Sequence, residues 1–238
     1  MVWWNGTNFT MDGHEPATAE DYYGLGRYCW NSGEHRSGAA FFLEPAAGAG
    51  HEAAIDLLGH VLFSEGDYVH AVPWLLRATG SGRAAYYLGV LHQRGCPEAG
   101  VAKSFTEAVA RFRRAAALGE PEAMVALGNL HSDRLLPGTR SPLEHALEFY
   151  LEASRLGHPY GQFLAAEVYY NDYGDLARAA VQYELCLANP QRDRHFLASL
   201  MTQRSEGALR DINWTVSQQE LQRRRDEVNP PRPEQPRY

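Results

Sequence analysis

Cysteine is scarce. Cys29, Cys96 and Cys186 are the three in the chain, odd in number and without CxxC spacing. That excludes a disulfide scaffold and fits a reducing compartment, so the expected location is cytoplasmic. Basic charge is short as well, with 22 Lys and Arg against 29 Asp and Glu and a formal net charge of -7. A nucleic-acid binder needs a dominant basic surface that releases counterions, so no nucleic-acid partner is expected. No uninterrupted apolar run approaches the length of a membrane span, and no membrane partner is expected either. The opening residues M-V-W-W-N-G-T-N-F-T lack the basic n-region and the apolar h-region of a signal peptide. HExxH, the P-loop, GxSxG and the Gly-rich dinucleotide fingerprint are all missing, so the reading is non-enzymatic, with no catalytic residue, metal or cofactor.

What is present is ordinary in composition and unusual in order. Hydrophobic content of 45% and charge of 21% suit a globular protein, and 238 residues can bury a full core as one large domain or one elongated array. The stretch Ser104–His131 reads as a helix, a tight turn and a second helix, and weaker copies lie on both sides. Leu25-Gly26, Leu58-Gly59, Leu88-Gly89 and Leu127-Gly128 recur, with Ala165-Ala166 in the next place, in steps of 33, 30, 39 and 38 residues between second members. Such steps fall in the range of helical repeats. A column of small residues follows each pair: Ala39, Ala71, Ala108, Ala146 and Ala179. A second column stands seven residues on, at Ala46, Ala78, Ala115, Ala153 and Cys186. Seven residues is two helical turns, so the two columns share one stripe on which a neighbouring helix approaches closely. Gly50, Gly82, Gly119, Gly157 and Pro190 follow four residues later, where they are expected to end the helix.

Each unit therefore reads as helix A, with Leu-Gly, then helix B, with the two small columns. Ser104 with Glu107, and Ser141 with Pro142 and Glu144, read as caps of B helices, while Pro121 and Pro159 sit where A helices begin. Pro73 is tolerable near a B-helix start, whereas Pro45 is expected to kink the first B helix.

With these columns in place the chain resembles Sel1-like repeats, relatives of the tetratricopeptide repeats. Ala54–Gly59, Ala84–Gly89 and Ala123–Gly128 carry the opening Ala-x-x-x-Leu-Gly. Ala46–Gly50, Ala115–Gly119 and Ala153–Gly157 carry the closing motif. The step from the second small column to the next Leu-Gly glycine, or its Ala166 counterpart, is 13 at three of four junctions, shorter than the tetratricopeptide pattern. The resemblance covers about residues 20 to 190, and it departs at Asp21 in the first unit and at Ala165-Ala166 in the fifth. It implies an all-α, right-handed superhelical solenoid of stacked antiparallel helix pairs, about five units long. The expected parts are an N-terminal arm (1–17), the solenoid (18–190), C-terminal capping helices (191–228) and a proline-rich disordered tail (229–238). In the arm, Trp3, Trp4, Phe9 and Met11 show no helical period. In the capping region, Arg194–Arg204 reads as one helix and Ser217 with Glu220 as the cap of a second, polar helix from Gln218 to Val228.

Function is expected on the face that the A helices present. The resemblance implies that the positions one and four residues after each Leu-Gly line a concave groove, which nominates Arg27, Trp30, His60, Phe63, Gln93, Asn129, Glu167 and Tyr170. Tyr23, Asp56, Tyr86, Val125 and Phe163 lie a turn earlier. Such a groove, aromatic and mixed in polarity, suits a peptide or helix of a partner protein, making the chain an interaction scaffold or adaptor. Two alternatives stay open: a hydrolase or metal-dependent enzyme using His60, His92 or His131, and a structural homo-oligomer subunit. His92 and His131 read as packed structural residues, Cys186 as a buried small residue and Cys96, in a long loop, as the exposed thiol. The sequons at Asn5, Asn8 and Asn213, the PxxP of Pro233–Pro236 and the Arg223–Arg225 run read as chance matches and a solvated helix face.

Overall fold

The computed structural model describes residues 2–4, 9–11, 16–32, 38–136 and 141–228. The proline-rich stretch 229–238 with its PxxP, and the side chains of Trp3, Trp4, Phe9, Met11, Arg224 and Arg225, lie outside that description. Within the arm, β1 (Val2–Trp4) and β2 (Phe9–Met11) pair antiparallel, with Trp3 opposite Thr10. The remaining described elements are almost all helical, in two compact units, Met1–Leu127 and Gly128–Tyr238.

The first unit holds α1 (Ala19–Ser32), α2 (Ala39–Gly48), α3 (Glu52–Glu65), α4 (Tyr68–Arg77), α5 (Gly82–Arg94), α6 (Phe105–Ala117) and the start of α7 (Pro121–Ser132). The second holds the end of α7, then α8 (Pro142–Arg155), α9 (Pro159–Val168), α10 (Leu176–Ala188) and α11 (Ala198–Val228). Odd-numbered helices to α9 are the A helices and even-numbered ones to α10 the B helices. In each unit, elements next to one another in the chain pack together, α1 on α2, α3 on α4 and α5 on α6 in one, α8 on α9 and α9 on α10 in the other.

The first small column is buried throughout, and so is the second except at Ala78. Between them stands a large residue four positions after the first: Leu43, Leu75, Phe112, Tyr150 and Tyr183, all buried. Those side chains meet the A-helix glycines. A Cβ built on Gly26 would lie 2.5 Å from Leu43 Cγ, one on Gly59 2.9 Å from Leu75 Cδ2, and one on Gly89 2.6 Å from Phe112 Cε1. Gly128 meets the Tyr150 ring in the same way. The glycine is thus required by a knob that enters the space of a missing side chain, which is why its backbone conformation is ordinary helix.

Three B helices end alike. The His51, Glu120 and His158 N–H groups donate to the Ala46, Ala115 and Ala153 carbonyls, and Gly50, Gly119 and Gly157 bond one residue further along. These glycines have φ of 89°, 83° and 78°, the left-handed conformation that closes a helix. The next A helix is then capped by the side chain that follows: His51 Nδ1 accepts from the Ala54 N–H at 3.1 Å and His158 Nδ1 from Gly161 at 3.1 Å. Thr18 and Asp21 form a reciprocal capping box on α1, and Ser104 accepts from the Glu107 N–H on α6. Ser141 stands at the N-cap of α8 without a side-chain cap bond, and Pro142 opens that helix.

Four expectations need correction. Gly82 does not end α4, which stops at Arg77. The step from Ala78 to Gly89 is 11 rather than 13, so Ser81 caps α5 directly and Gly82 becomes its first residue. A Cβ there would sit tightly, 3.1 Å from Glu120 Cβ. Pro45 stands exposed inside α2, whose helical span continues past it to Gly48. Cys96 is not exposed: its backbone pairs both ways with Val101, and both side chains are buried under the loop. The two capping helices are one, α11, because the Ser217 hydroxyl donates back to the Asn213 carbonyl at 2.8 Å instead of capping a new helix. That helix also starts at Ala198, four residues later than Arg194.

The knob contacts give one substitution opposite signs at two glycines. Gly89→Ala should destabilise by about 1–3 kcal/mol, since overpacking against Phe112 exceeds the gain in helix propensity. Adding Phe112→Leu should recover part of that loss in a double-mutant cycle. Gly207→Ala in α11, where a Cβ would meet nothing nearer than Arg210 Nη2 at 4.0 Å, should stabilise by about 0.5–1 kcal/mol. Urea unfolding of the variants measures each.

Candidate functional site

In the first unit, three A helices bring their aromatics into one continuous surface. Trp30 of α1 meets His60 of α3 edge-on at 5.0 Å, and His60 meets Tyr87 of α5 at 5.7 Å. Tyr87 stacks on Phe63 at 4.0 Å with planes 13° apart, and Phe63 contacts Tyr68 at 5.3 Å. All five rings are half-buried, with inner edges on the core. Three of the nominated residues, Trp30, His60 and Phe63, are thus brought together. Arg27 is exposed and lies over the Tyr23 ring at 5.5 Å on its own helix, and Gln93 is exposed in the last turn of α5.

Polar groups border these rings. Arg83 Nη1 donates to His60 Nδ1 at 2.8 Å, and the Tyr87 hydroxyl is 3.3 Å from the same nitrogen, which holds the imidazole with its proton on Nε2. Burial pushes the Tyr87 hydroxyl up to about 12. At the start of α7, Glu120 and Glu122 share a hydrogen bond, with Arg83 and Asp56 as charged neighbours. Burial first, and then Glu122, pushes the Glu120 carboxyl up to about 8. One oxygen of Asp56, Oδ1, is buried without a hydrogen-bond partner. Asp56 also lines a cavity of about 470 Å³ at the short α4–α5 junction, together with Glu52, Arg77 and Ser81.

In the second unit the nominated residues are tied to the core. Asn129 accepts from the Tyr150 hydroxyl at 2.8 Å. Glu167 accepts from the Tyr183 hydroxyl at 2.5 Å and from Arg204 Nε at 3.1 Å, with Asn171 Nδ2 at 3.2 Å. Tyr170 meets Tyr183 edge-on at 6.2 Å within the π-helical turn Tyr169–Tyr173 that follows α9. Two cavities flank this turn. One of about 410 Å³ is lined by Ser132, Arg134, Tyr150, Glu167, Asn171 and Asp172, and one of about 360 Å³ by Tyr170, Leu200, Arg204, Gly207, Arg210 and Asp211. Arg134 takes the left-handed place that closes α7, at φ 57°, where the B helices use glycine.

Sequence reasoning missed Tyr87, Arg83 and the Glu120–Glu122 pair. Tyr87 stands two residues before the Leu-Gly glycine, a column filled elsewhere by Gly24, Leu57, Ala126 and Leu164, so no repeat signal marked it. The histidines of the enzymatic alternative have separate neighbours: His60 takes bonds from Arg83 and Tyr87, His92 Nδ1 lies 3.1 Å from the Ala102 carbonyl, and His131 stacks on Phe149 at 5.6 Å. No group of three or more His, Cys, Asp or Glu among the described residues could hold a metal ion. The three thiols are free and buried, and burial pushes each of them up. No helix among the described residues is long and apolar enough to cross a membrane.

The shared proton makes stability depend on pH. The folded chain binds a proton that an unfolded glutamate releases near pH 4.5, so stability should fall as pH rises from about 4.5 through about 8. Glu120→Gln should raise the melting temperature at pH 8.5 and change it little at pH 5. Equal shifts at both pH values would contradict the shared proton.

No protein-family model matches the chain, and no curated protein matches it. Solved structures do. A Sel1 repeat protein from Oxalobacter formigenes superposes with a TM-score of 0.63 at 20% identity, over 77% of this chain and 78% of that one. A protective antigen present in uropathogenic Escherichia coli strains, displaying an SLR fold, superposes with a TM-score of 0.55 at 18% identity. That match covers 74% of this chain and 39% of that one. Buried knobs on A-helix glycines and likeness to these structures lead to one conclusion: the chain has the all-helical repeat fold of Sel1 repeat proteins.

Proposed function

We propose that this protein is a non-enzymatic interaction scaffold or adaptor, which takes a peptide or helix of a partner protein on its A-helix face. The observation that supports this most is the surface joining Trp30, His60, Phe63 and Tyr87 across three successive A helices, with Tyr68 of α4 against Phe63. Rigid, half-buried aromatics offer contact area at low entropy cost, the usual composition of a binding hot spot. Sel1-repeat folds are generally protein-interaction scaffolds, which agrees with this assignment. In the second unit the candidate residues are Asn129, Glu167 and Tyr170, of which the Tyr150 and Tyr183 hydroxyls already engage the first two.

A second reading, a structural homo-oligomer, draws on α11. Its buried stripe of Met201, Ser205, Ala208 and Ile212 ends at Ile212, yet the helix continues to Val228 with Trp214 67% exposed. Light scattering that gives a dimer for the wild type and a monomer for Trp214→Ser would establish it.

The scaffold assignment is tested by selecting a displayed dodecapeptide library on the full chain and titrating the recovered clones. Trp30→Ala and Phe63→Ala should each weaken them at least tenfold while circular dichroism stays unchanged, consistent with hot-spot losses of about 2 kcal/mol. Clones that bind both variants as tightly as the wild type would place the binding face elsewhere.

A further inference from the structure

Residues 229–238, N-P-P-R-P-E-Q-P-R-Y, lie outside the described residues, and their sequence sets Pro230, Pro233 and Pro236 three apart. Polyproline II has three residues per turn and rises about 3.1 Å per residue, so in that form the three prolines line one edge at steps of about 9 Å. Among the described side chains the last that α11 buries is Ile212, and the helix runs on to Val228, about 24 Å farther at about 1.5 Å per residue. The proline segment thus follows a helical arm that leads away from the core of its own unit.

From sequence alone the PxxP is a short match, but the first unit offers a surface that suits it. Trp30, His60 and Tyr87 follow one another at 5.0 and 5.7 Å across α1, α3 and α5, with Phe63 on Tyr87 at 4.0 Å. Ring to ring, the row from Trp30 to Tyr87 is about as long as one polyproline II turn. The rings are half-buried, and rows of aromatics of this kind are the surfaces on which prolyl rings pack. Hydrogen bonding agrees. A prolyl residue has a carbonyl acceptor and no N–H, so a proline-rich strand needs donors from its receptor. Arg83 gives one of the five N–H donors of a guanidinium to His60 Nδ1 at 2.8 Å, and the Tyr87 hydroxyl, pushed up to about 12 by burial, stays protonated.

We propose that this ring surface takes a proline-rich segment in polyproline II form, and that its occupant is residues 230–238 of a second copy of this chain. The inference rests on the scaffold reading and names the ligand. A helix in the same place would keep its carbonyls in its own ladder and leave the donors of Arg83 and Tyr87 unmet. Each copy carries one such surface and one such segment, so the contact is heterologous and runs on from copy to copy instead of closing at two.

A fluorescent peptide of residues 229–238 is titrated with the full chain and read by anisotropy. It should bind, and a peptide with Pro230→Ala, Pro233→Ala and Pro236→Ala together should bind at least about tenfold more weakly, as should the native peptide to Trp30→Ala. Equal binding of the two peptides would overturn the polyproline assignment. The contact is apolar and neutral, so affinity should change by less than about twofold between about 0.05 and 0.5 M salt. A severalfold fall would point to capture through Arg232 and Arg237 and would also overturn it. Light scattering of the full chain should show a mass that rises with concentration beyond a dimer, kept in Trp214→Ser and lost in the triple proline variant. A constant monomer mass with the peptide still bound would overturn the second copy as occupant. No binding of the peptide, while library-selected clones still depend on Trp30, would overturn the inference and leave the scaffold reading standing. Failure of peptide and clones alike would overturn both.

Discussion

The fold depends on one contact repeated along the chain: a large B-helix side chain pressed into the space left by an A-helix glycine. Leu43 on Gly26, Leu75 on Gly59, Phe112 on Gly89 and Tyr150 on Gly128 are four versions of it. Each glycine costs its helix about 1 kcal/mol in propensity, and burial of each knob offsets this by about 1.5–3 kcal/mol. The small columns on either side of the knob let the two helices approach closely enough for it to reach. Add a side chain at the glycine and the knob or its helix must shift to make room.

The same contact divides the molecule chemically. In the first unit the knobs are Leu43, Leu75 and Phe112, which have no hydrogen-bonding tip, so the polar groups of the A helices are left to one another. His60, Arg83 and Tyr87 form their own network among the rings. In the second unit the knobs are Tyr150 and Tyr183, and their hydroxyls engage Asn129 and Glu167. Burial pushes both phenols far up, which keeps them neutral donors. The two units therefore offer different faces from one repeat plan, an aromatic one and a hydrogen-bonded one.

Much of the architecture was legible because it rests on residues that must be small. Gly26, Gly59, Gly89 and Gly128 stood out at repeat spacing, and so did the small columns, since only small residues occupy them. The knobs did not, because Leu, Phe and Tyr serve equally well and share no letter. The α4–α5 junction was misread for a related reason: its two missing residues leave Gly82 in the right column but in a different role. α11 was divided in two because Ser217 and Glu220 look like a cap, and only the backbone shows that the hydroxyl bonds inside the helix. On the candidate site, Trp30, His60 and Phe63 were reachable from the repeat register. Tyr87, Arg83 and the Glu120–Glu122 pair were not, since they belong to positions that differ from unit to unit and act only through proximity in space.

The knob and the glycine that receives it always lie in one A–B hairpin. A hairpin is therefore a self-contained cassette: it carries both halves of its main packing contact within a single stretch of sequence. Duplicating or deleting a whole cassette leaves every knob with its socket, while an exchange with a breakpoint between A and B would match a tyrosine with a socket shaped for leucine. Such a chain can grow or shorten by hairpins while its recognition residues, which sit outside the contact, diverge freely.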